Sequence, residues 1–215
     1  MDTTNPLYKN QGIHAVASIF TLHEGEVKVL LIKRTNEPFK GSWILVGGAI
    51  YNNEDILTGM NREIYEKTKL QNLKLVQSGV FSDPQRAPQM RMIAIGFTTV
   101  VNYEKTKFSS ITPKTEDAKW FKINEVPVLG YDHNKILEES IKTLKCDIFE
   151  KSTLIELLPS EFTLPQVQKI CETILGQKLD RRNFRKQLLQ KKLICQTGNY
   201  DYSSQKRPAN LYKFC

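Results

Sequence analysis

The sequence predicts an α+β domain followed by a small helical domain, and three observations lead to this division. Strand-like and helix-like segments are interleaved over the first 145 residues. The last third has short amphipathic helices and no long strand. The charge changes at the same place, because residues 1–150 carry 19 Lys and Arg against 18 Asp and Glu, whereas residues 151–215 carry 12 against 5. We therefore predict two domains, at residues 1–147 and 148–215.

Length and composition are those of an ordinary globular protein. The 215 residues are 40% hydrophobic and 25% charged, with a net charge of +8, and this balance argues against a disordered or fibrous chain. No apolar run approaches the roughly 20 residues of a membrane-spanning helix, and the N-terminus has no secretory signal pattern. We expect a cytoplasmic protein without a membrane partner.

The four cysteines are widely spaced and form no CxxC pair. This spacing indicates neither a zinc site nor a disulfide framework, and a reduced, cytoplasmic setting is expected. The residues are Cys146, Cys171, Cys195 and Cys215.

The first domain is predicted to contain two helices among several strands. Gly25 lies in the turn of a hairpin formed by the first two strands. Leu57, Met60 and Ile64 recur at spacings of three and four residues, which predicts a helix with an apolar face. The predicted strands are 13–20, 27–33, 73–81, 90–101 and 117–122, and the predicted helices are 54–68 and 133–145.

The second domain is predicted to begin with two capped helices. Thr163 and Gln166 form a capping box at the start of the first helix, and Gly176, which tolerates a positive φ angle, ends it. Asp180 is a favourable N-cap for a second, basic helix at about residues 181–191.

A short β-hairpin is predicted after the second helix. Residues 193–195 and 211–214 have strand character, and residues 197–208 form a polar loop between them. Two helices, the second of them basic, and a hairpin with a basic loop follow one another as in a winged helix-turn-helix domain. This order favours DNA binding, and a solvated basic surface that binds no partner is the alternative.

The second helix presents a polar face that suits DNA. Phe184 and Leu188 form its apolar face, so the remaining side chains point away from the core. Arg, Asn and Gln pair with base edges in the major groove, and flanking cations contact phosphates. The candidate DNA-binding residues are Arg181, Arg182, Asn183, Arg185, Lys186 and Gln190 in the helix and Lys206 and Arg207 in the wing loop.

A glycine pair and two glutamates form a second candidate site. Gly47 and Gly48 allow the backbone to approach a ligand closely. Glu63 and Glu66 are three residues apart and therefore neighbours on a helix, away from its apolar face. Carboxylates so placed can hold Mg²⁺ against substrate phosphates, although two glutamates on a helix are also common on a solvated face.

The spacing around these residues resembles the Nudix box, GX5EX7REUXEEXGU, in which U is aliphatic. Gly48, Glu54 and the run Arg62-Glu63-Ile64-x-Glu66 match it, and the preceding segment at 41–48 resembles the GxWxLPGG lead-in. The resemblance implies a Nudix α/β/α sandwich at about residues 10–145. It also implies a ligand in which a nucleoside diphosphate is linked to another group, such as ADP-ribose.

Two lysines depart from the Nudix pattern. Lys67 stands where the family has the second glutamate of the EE pair, usually a principal metal ligand, and Lys69 stands where it has glycine. Lys67 lies four residues after Glu63, within reach for an ion pair. Because pyrophosphate hydrolysis needs the metal to offset charge and activate water, we expect hydrolysis to be impaired or absent. The alternative is a weaker enzyme in which Glu63 and Glu66 are the catalytic metal ligands and another residue compensates.

Residues 81–91 resemble a loop written FxDPxRDPRGR in one Nudix subgroup. Arg86, Pro88 and Arg91 match, and three other positions do not. An arginine at such a position can bind a phosphate bidentately, whereas the alternative is a surface loop before a strand. The candidate effector-binding residues are Arg86, Arg91, Gly47 and Gly48, and His133 is expected to be a cap or turn residue.

The second domain resembles the winged helix of the Nudix-related transcriptional regulators, in segments 162–186 and 206–214. One branch, NrtR, regulates NAD metabolism and another responds to sugars, and a degenerate Nudix domain often senses the effector in this family. The resemblance implies a homodimer that binds operator DNA and a nucleotide or sugar effector, with no required cofactor. The competing interpretation is a Mg²⁺-dependent hydrolase of the ADP-ribose pyrophosphatase type with an appended winged helix.

Overall fold

The computed structural model describes residues 11–109, 111–112, 115–202 and 208–215. Strands and helices alternate in the first domain, and helices followed by a hairpin form the second. In chain order the elements are β1 (Gly12–His23), β2 (Glu26–Arg34), β3 (Trp43–Ile44), β4 (Val46–Ala49), α1 (Ile56–Thr68), β5 (Val76–Phe81), β6 (Met92–Val100), β7 (Thr115–Lys122), α2 (His133–Cys146), a 3-10 turn (Asp147–Phe149), α3 (Lys151–Leu157), α4 (Leu164–Leu175), α5 (Arg181–Gln190), β8 (Ile194–Asp201) and β9 (Ala209–Phe214).

Strand β1 is the centre of the main sheet. It runs parallel to β6 and antiparallel to β2 and β4. Strand β5 extends the sheet beyond β6, while β3 and β7 pair with β2. Because successive side chains on a strand point to opposite faces, Ala17 and Ile19 contribute to one apolar cluster, and Val16 and Phe20 contribute to another.

The two faces of this sheet are covered by different helices. Met60 and Ile64 of α1 belong to the cluster that contains Ile19. Ile136 of α2 belongs to the cluster that contains Phe20. This arrangement is the α/β/α sandwich that the Nudix resemblance implies, and the prediction of a mixed α+β fold is confirmed.

The predicted apolar face of α1 is only partly correct. Met60 and Ile64 are fully buried as expected, but Leu57 is 52% exposed. Glu63 and Lys67, which lie three and seven residues after Met60, are buried instead. Their mutual ion pair makes this burial possible, because a buried charge is tolerated when an opposite charge and hydrogen bonds accompany it.

The second domain has the predicted capped helices. The Thr163 hydroxyl accepts a hydrogen bond from the Gln166 backbone N–H at the start of α4 and the Gln166 side chain completes the capping box. Gly176 ends the helix with a φ of 71°, and the Asp180 carboxylate caps α5. Helix α3 was not predicted, and β8 continues to Asp201, so the loop between the strands is shorter than the sequence suggested.

One continuous apolar cluster joins the two domains. It contains Phe20 and Leu144 of the first domain together with Leu154, Val167 and Phe184 of the second. The 3-10 turn after α2 contributes Ile148, which is fully buried. The two domains therefore share one close-packed apolar core. None of the described helices is long and apolar enough to cross a membrane.

A disulfide bond is present, although the spacing of the cysteines indicated no disulfide framework. Cys195 of β8 is bonded to Cys215, with Cα atoms 5.5 Å apart, while Cys146 and Cys171 are free thiols. The two bonded residues are 20 positions apart in sequence, and only the antiparallel pairing of β8 with β9 makes them neighbours. Burial raises the pKa of the Cys171 thiol to about 12.

Candidate functional site

A cavity of about 280 Å³ opens beside the glycine pair of β4. Strands β1, β2 and β4, the end of α1 and the beginning of α2 supply its walls. Two cationic side chains, two histidines, an aromatic ring and the carboxylate of Glu63 are among the lining groups. Because Glu63 is paired with Arg62 and Lys67, the lining suits a polar, anionic ligand. These lining residues include Arg34, Lys67, His14, His133, Tyr131, Gly47 and Gly48.

The glycine pair is required because other groups approach it closely. A Cβ atom on Gly48 would collide with the Glu63 carboxylate. A Cβ atom on Gly47 would collide with the Ala15 carbonyl oxygen across the β1–β4 pairing. The two predicted effector-binding glycines therefore line the cavity, and their lack of side chains lets β4 lie close to α1.

Arg62 connects the acidic residues of the Nudix box. Its guanidinium donates to Glu54 through Nε at 2.9 Å and Nη2 at 2.6 Å. It also donates from Nη1 to Glu63 Oε1 at 2.6 Å and from Nη2 to the Ala49 carbonyl at 2.8 Å. Hydrogen bonding to Arg62 lowers the pKa of Glu54 to about 2. Arg62 thus ties Glu54, Glu63 and the end of β4 together.

Lys67 occupies the other side of the Glu63 carboxylate. Its ammonium lies 3.0 Å from Glu63 Oε2 and donates a hydrogen bond to the Gly47 carbonyl oxygen. Burial acts to raise the pKa of Glu63, but the charges and hydrogen bonds of Lys67 and Arg62 outweigh it and lower that pKa. Glu66 is one-third exposed and lies 3.5 Å from Arg62. Each oxygen of Glu63 therefore already has a cationic partner.

Two histidines of the cavity are held in the neutral form. The Nδ1 atom of His133 accepts a hydrogen bond from the Leu45 N–H at 3.1 Å. Burial, with the positive field of Arg86, lowers the pKa of His133 to about 3 and that of His14 to about 4. Asp132 is the N-cap of α2 and His133 is its first helical residue. His133 is therefore not the cap or turn residue that was expected, and it is buried and lines the cavity.

The structure places Arg86 and Arg91 outside the lining of this cavity. Arg86 is buried and donates to Asp132 through Nε at 3.1 Å and Nη2 at 2.7 Å. Arg91 donates from Nη1 to the Ser82 carbonyl at 2.5 Å. Both contacts anchor the loop before β6. Arg34, which does line the cavity, was missed because no local pattern distinguishes the end of β2 from an ordinary strand.

The predicted DNA-binding face of α5 is exposed. Phe184 and Leu188 are 3% and 1% exposed and face the core, as expected. In the part of the chain that the structure describes, the cations of α5 form no ion pair with an acidic side chain. The exposed residues are Arg181, Arg182, Asn183, Arg185, Lys186 and Gln190.

The wing is described in part. Lys206 and Arg207, the two predicted wing contacts, lie outside the described residues. Tyr200 and Tyr202, at the end of β8, are 50% and 75% exposed and their rings are 6.4 Å apart. These tyrosines were not among the predicted DNA contacts, although aromatic residues that precede a basic segment in the sequence are a usable signal for nucleic-acid contact.

Comparisons with known proteins agree with this two-part architecture. A model of the NUDIX domain matches residues 12–143, and a model described as the NrtR DNA-binding winged helix domain matches residues 154–214. A similar curated protein is the ADPR responsive transcriptional repressor NtrR of Acinetobacter baylyi. It is 27% identical over 201 residues, which are 92% of this chain and 79% of the relative.

Two further relatives represent an enzyme and a DNA complex. The ADP-ribose pyrophosphatase of Methanocaldococcus jannaschii is 34% identical over 132 residues, which are 60% of this chain and 75% of the enzyme. The crystal structure of Shewanella oneidensis NrtR complexed with a 27mer DNA is 27% identical, with a TM-score of 0.79. That similarity covers 94% of this chain and 93% of the solved chain.

Proposed function

The chain belongs to the NUDIX domain family, and from this premise we propose that it is a transcriptional regulator that binds operator DNA and responds to an ADP-ribose-like nucleotide. Residues 1–147 would form the sensing domain and residues 148–215 the DNA-binding domain. The observation that carries the proposal is the combination of a winged helix having an exposed basic face with a Nudix pocket whose acidic residues are already neutralised by cations.

The proposal of DNA binding rests on positive charges of α5 that are exposed to solvent. Arg182 and Lys186 are exposed on α5 and form no ion pair with the acidic side chains that the structure describes, so their positive charges are available to phosphates. Phosphate contacts supply much of the affinity for DNA, and Arg or Asn side chains read base edges. The similarity over 94% of the chain to a protein crystallised with a 27mer DNA supports DNA as the partner of this chain.

The effector half rests on the chemistry of the cavity. Arg34 and Lys67 provide positive charge, and Gly47 and Gly48 allow close approach to the backbone. A diphosphate group suits these donors, because charge-assisted hydrogen bonds to phosphate oxygens are among the strongest in proteins. We propose that Arg86 and Arg91 do not touch the effector and act indirectly, by holding the adjoining loop in position. The Acinetobacter relative named as ADPR responsive supports ADP-ribose as the first effector to test.

We further propose a homodimer that acts in the cytoplasm, where operator DNA is located. Two recognition helices related by a two-fold axis would meet two half-sites of the operator. An effector that prefers one arrangement of the domains would shift the population towards it and change the half-site spacing. The shared core around Ile148 and Leu154 offers a physical connection for this shift. Size-exclusion chromatography with light scattering tests the dimer, and a monomer at all concentrations would contradict it.

The main test is DNA binding with and without ADP-ribose. Genomic fragments are selected on the full chain, and the bound fragments are footprinted in a titration of ADP-ribose. We expect a protected, two-fold symmetric site whose occupancy changes with the nucleotide. Absence of sequence-specific binding at every salt concentration, with and without ADP-ribose, would contradict the regulator.

A Mg²⁺-dependent Nudix hydrolase is the second candidate, favoured by the 34% identity to an ADP-ribose pyrophosphatase. In that case Glu63 and Glu66 would act as catalytic metal ligands. The test is product formation from ADP-ribose with Mg²⁺ by the wild type and by Glu66→Gln. Turnover by the wild type that is lost in Glu66→Gln would favour the enzyme over a pure sensor.

A further inference from the structure

We propose that the Lys67 ammonium replaces the divalent cation of this Nudix pocket, so that the effector diphosphate binds without any metal ion. In this chain the Nudix box would then hold the ammonium of one of its own residues in place of a metal ion. The proposal rests on the proposed function, in which the cavity is the effector site. It adds that Lys67, and no metal ion, offsets the negative charge of the bound diphosphate.

The position of the ammonium is the first argument. Lys67 Nζ contacts both Glu63 Oε2 and the Gly47 carbonyl oxygen, which are two oxygens of the kind that Mg²⁺ prefers. A cation held between these oxygens repels a second cation from the same place. The Lys67 side chain is 10% exposed, so water screens this repulsion only weakly.

The state of the carboxylates is the second argument. Glu63 Oε1 and both oxygens of Glu54 accept hydrogen bonds from Arg62, and Glu54 Oε1 also accepts one from the Tyr51 N–H at 2.8 Å. Mg²⁺ is usually held by one or two carboxylates together with waters and substrate phosphates, and here the oxygens of Glu54 and Glu63 are already paired with Arg62 and Lys67. The described residues contain no group of three or more His, Cys, Asp or Glu side chains placed to hold a metal ion. The residues therefore do not fit the metal of the family.

The surroundings of Lys67 are the third argument. The side chain lines the cavity on the same wall as Gly47 and Gly48, and Arg34 is the other cation of the lining. His14 and His133 are neutral at pH 7, because burial lowers their pKa values to about 4 and about 3. Lys67 and Arg34 therefore supply two positive charges to the cavity lining against the single negative charge of Glu63. A compound containing a nucleoside diphosphate is the class of ligand that this excess of positive charge suits.

The experiment measures ADP-ribose affinity and Mn²⁺ affinity separately on the full chain. For the wild type we expect the ADP-ribose Kd from calorimetry to be the same in EDTA and in Mg²⁺, within about twofold. Paramagnetic resonance should detect no saturable Mn²⁺ binding to the wild type. A Kd that tightens about tenfold or more with Mg²⁺, or a saturable Mn²⁺ site in the wild type that Glu63→Gln removes, would overturn the proposal.

Two variants of Lys67 separate its charge from its hydrogen bond. Lys67→Glu restores the family's acidic residue, and we expect it to lose about tenfold or more of its ADP-ribose affinity in EDTA and to gain a Mn²⁺ site. Lys67→Gln keeps a donor for the Gly47 carbonyl, so it should lose affinity without gaining a Mn²⁺ site. Unchanged ADP-ribose affinity in a folded Lys67→Gln variant would overturn the proposal.

Lys69→Glu is the matched control. It makes the same change of charge two residues away, at an exposed position where the ammonium lies over the Tyr65 ring. Both affinities should stay at the wild-type values. If the wild type binds no ADP-ribose in either buffer, the proposed effector fails. The Mn²⁺ measurements then still decide the exclusion of the metal, because they need no nucleotide.

Discussion

Lys67 of the Nudix domain is buried and Arg62 is partly buried, and both form ion pairs with glutamates, whereas Arg182 and Lys186 of the winged helix are exposed on α5. The same kind of side chain thus serves two purposes. A cation that is paired and shielded from water organises a pocket, and a cation on an open face is available to a polyanion. The comparison predicts that changes in the pocket alter folding and effector binding, while changes on α5 alter DNA binding alone.

The largest effect is expected for Arg182→Ala combined with Lys186→Ala. Without these two cations, which are expected to meet phosphates or bases, operator binding should weaken by about 3 kcal/mol, or roughly 100-fold. The salt dependence should also decrease by about one unit of slope for each phosphate that the variant no longer neutralises. Fluorescence anisotropy at several salt concentrations measures both. The double control Lys119→Ala and Lys142→Ala removes two exposed charges from the Nudix domain and should leave affinity unchanged.

The next largest effect is expected for the stability of Gly48→Ala, which adds a methyl group beside the pocket. The added Cβ of Gly48→Ala would meet the Glu63 carboxylate, which Arg62 and Lys67 hold in place. Such overpacking should lower the free energy of unfolding by about 2 kcal/mol, measured by urea denaturation. Ala49→Ser adds one atom at an exposed neighbouring position and serves as the control. Equal stability of Gly48→Ala and the wild type would show that the carboxylate is free to move.

Acidification should lower the free energy of unfolding by a smaller amount than Gly48→Ala does. The pKa of His133 is about 3 in the folded protein, because burial disfavours its charged form, and about 6.5 in the unfolded chain. Between pH 7 and 5.5 the unfolded chain therefore takes up a proton that the folded protein does not, and stability falls by about 1 kcal/mol for this group. Urea denaturation at both pH values should show a smaller loss for His133→Gln. Equal losses would contradict this origin.

The smallest effect is expected for the stability of Arg182→Ala. Its side chain is exposed, and surface substitutions of this kind usually change the free energy of unfolding by less than about 0.5 kcal/mol. A thermal melt of this variant should overlay that of the wild type. A clear loss of stability would mean that the residue is part of the fold, and the contrast between the two regions would then no longer hold.

Local patterns were sufficient for most of the secondary structure. The capping box of Thr163 and the positive φ of Gly176 were readable, because a cap depends on residues only three or four positions away. The apolar pair Phe184 and Leu188 likewise placed the exposed face of α5. The short helix α3 was missed, since its seven residues are too few for a clear helical period.

Contacts between distant segments escaped local patterns. Leu57 has the correct spacing for the apolar face of α1, yet it is half exposed, while Glu63 is buried. The pairing of Arg86 with Asp132 spans 46 positions, and the Cys195–Cys215 bond depends on the pairing of two strands. No local periodicity encodes these distances.

The sequence by itself determined the order of the two domains, the identity of the Nudix box and the basic face of α5, because each follows from residue type and short spacing along one chain segment. The tertiary structure decided which charges are buried together. Lys67 contacts the Gly47 carbonyl only because α1 packs against β4, and Arg34 and His133 reach the same cavity from β2 and α2. Burial and the distance between charges set the strength of an electrostatic interaction, and both are properties of the folded chain.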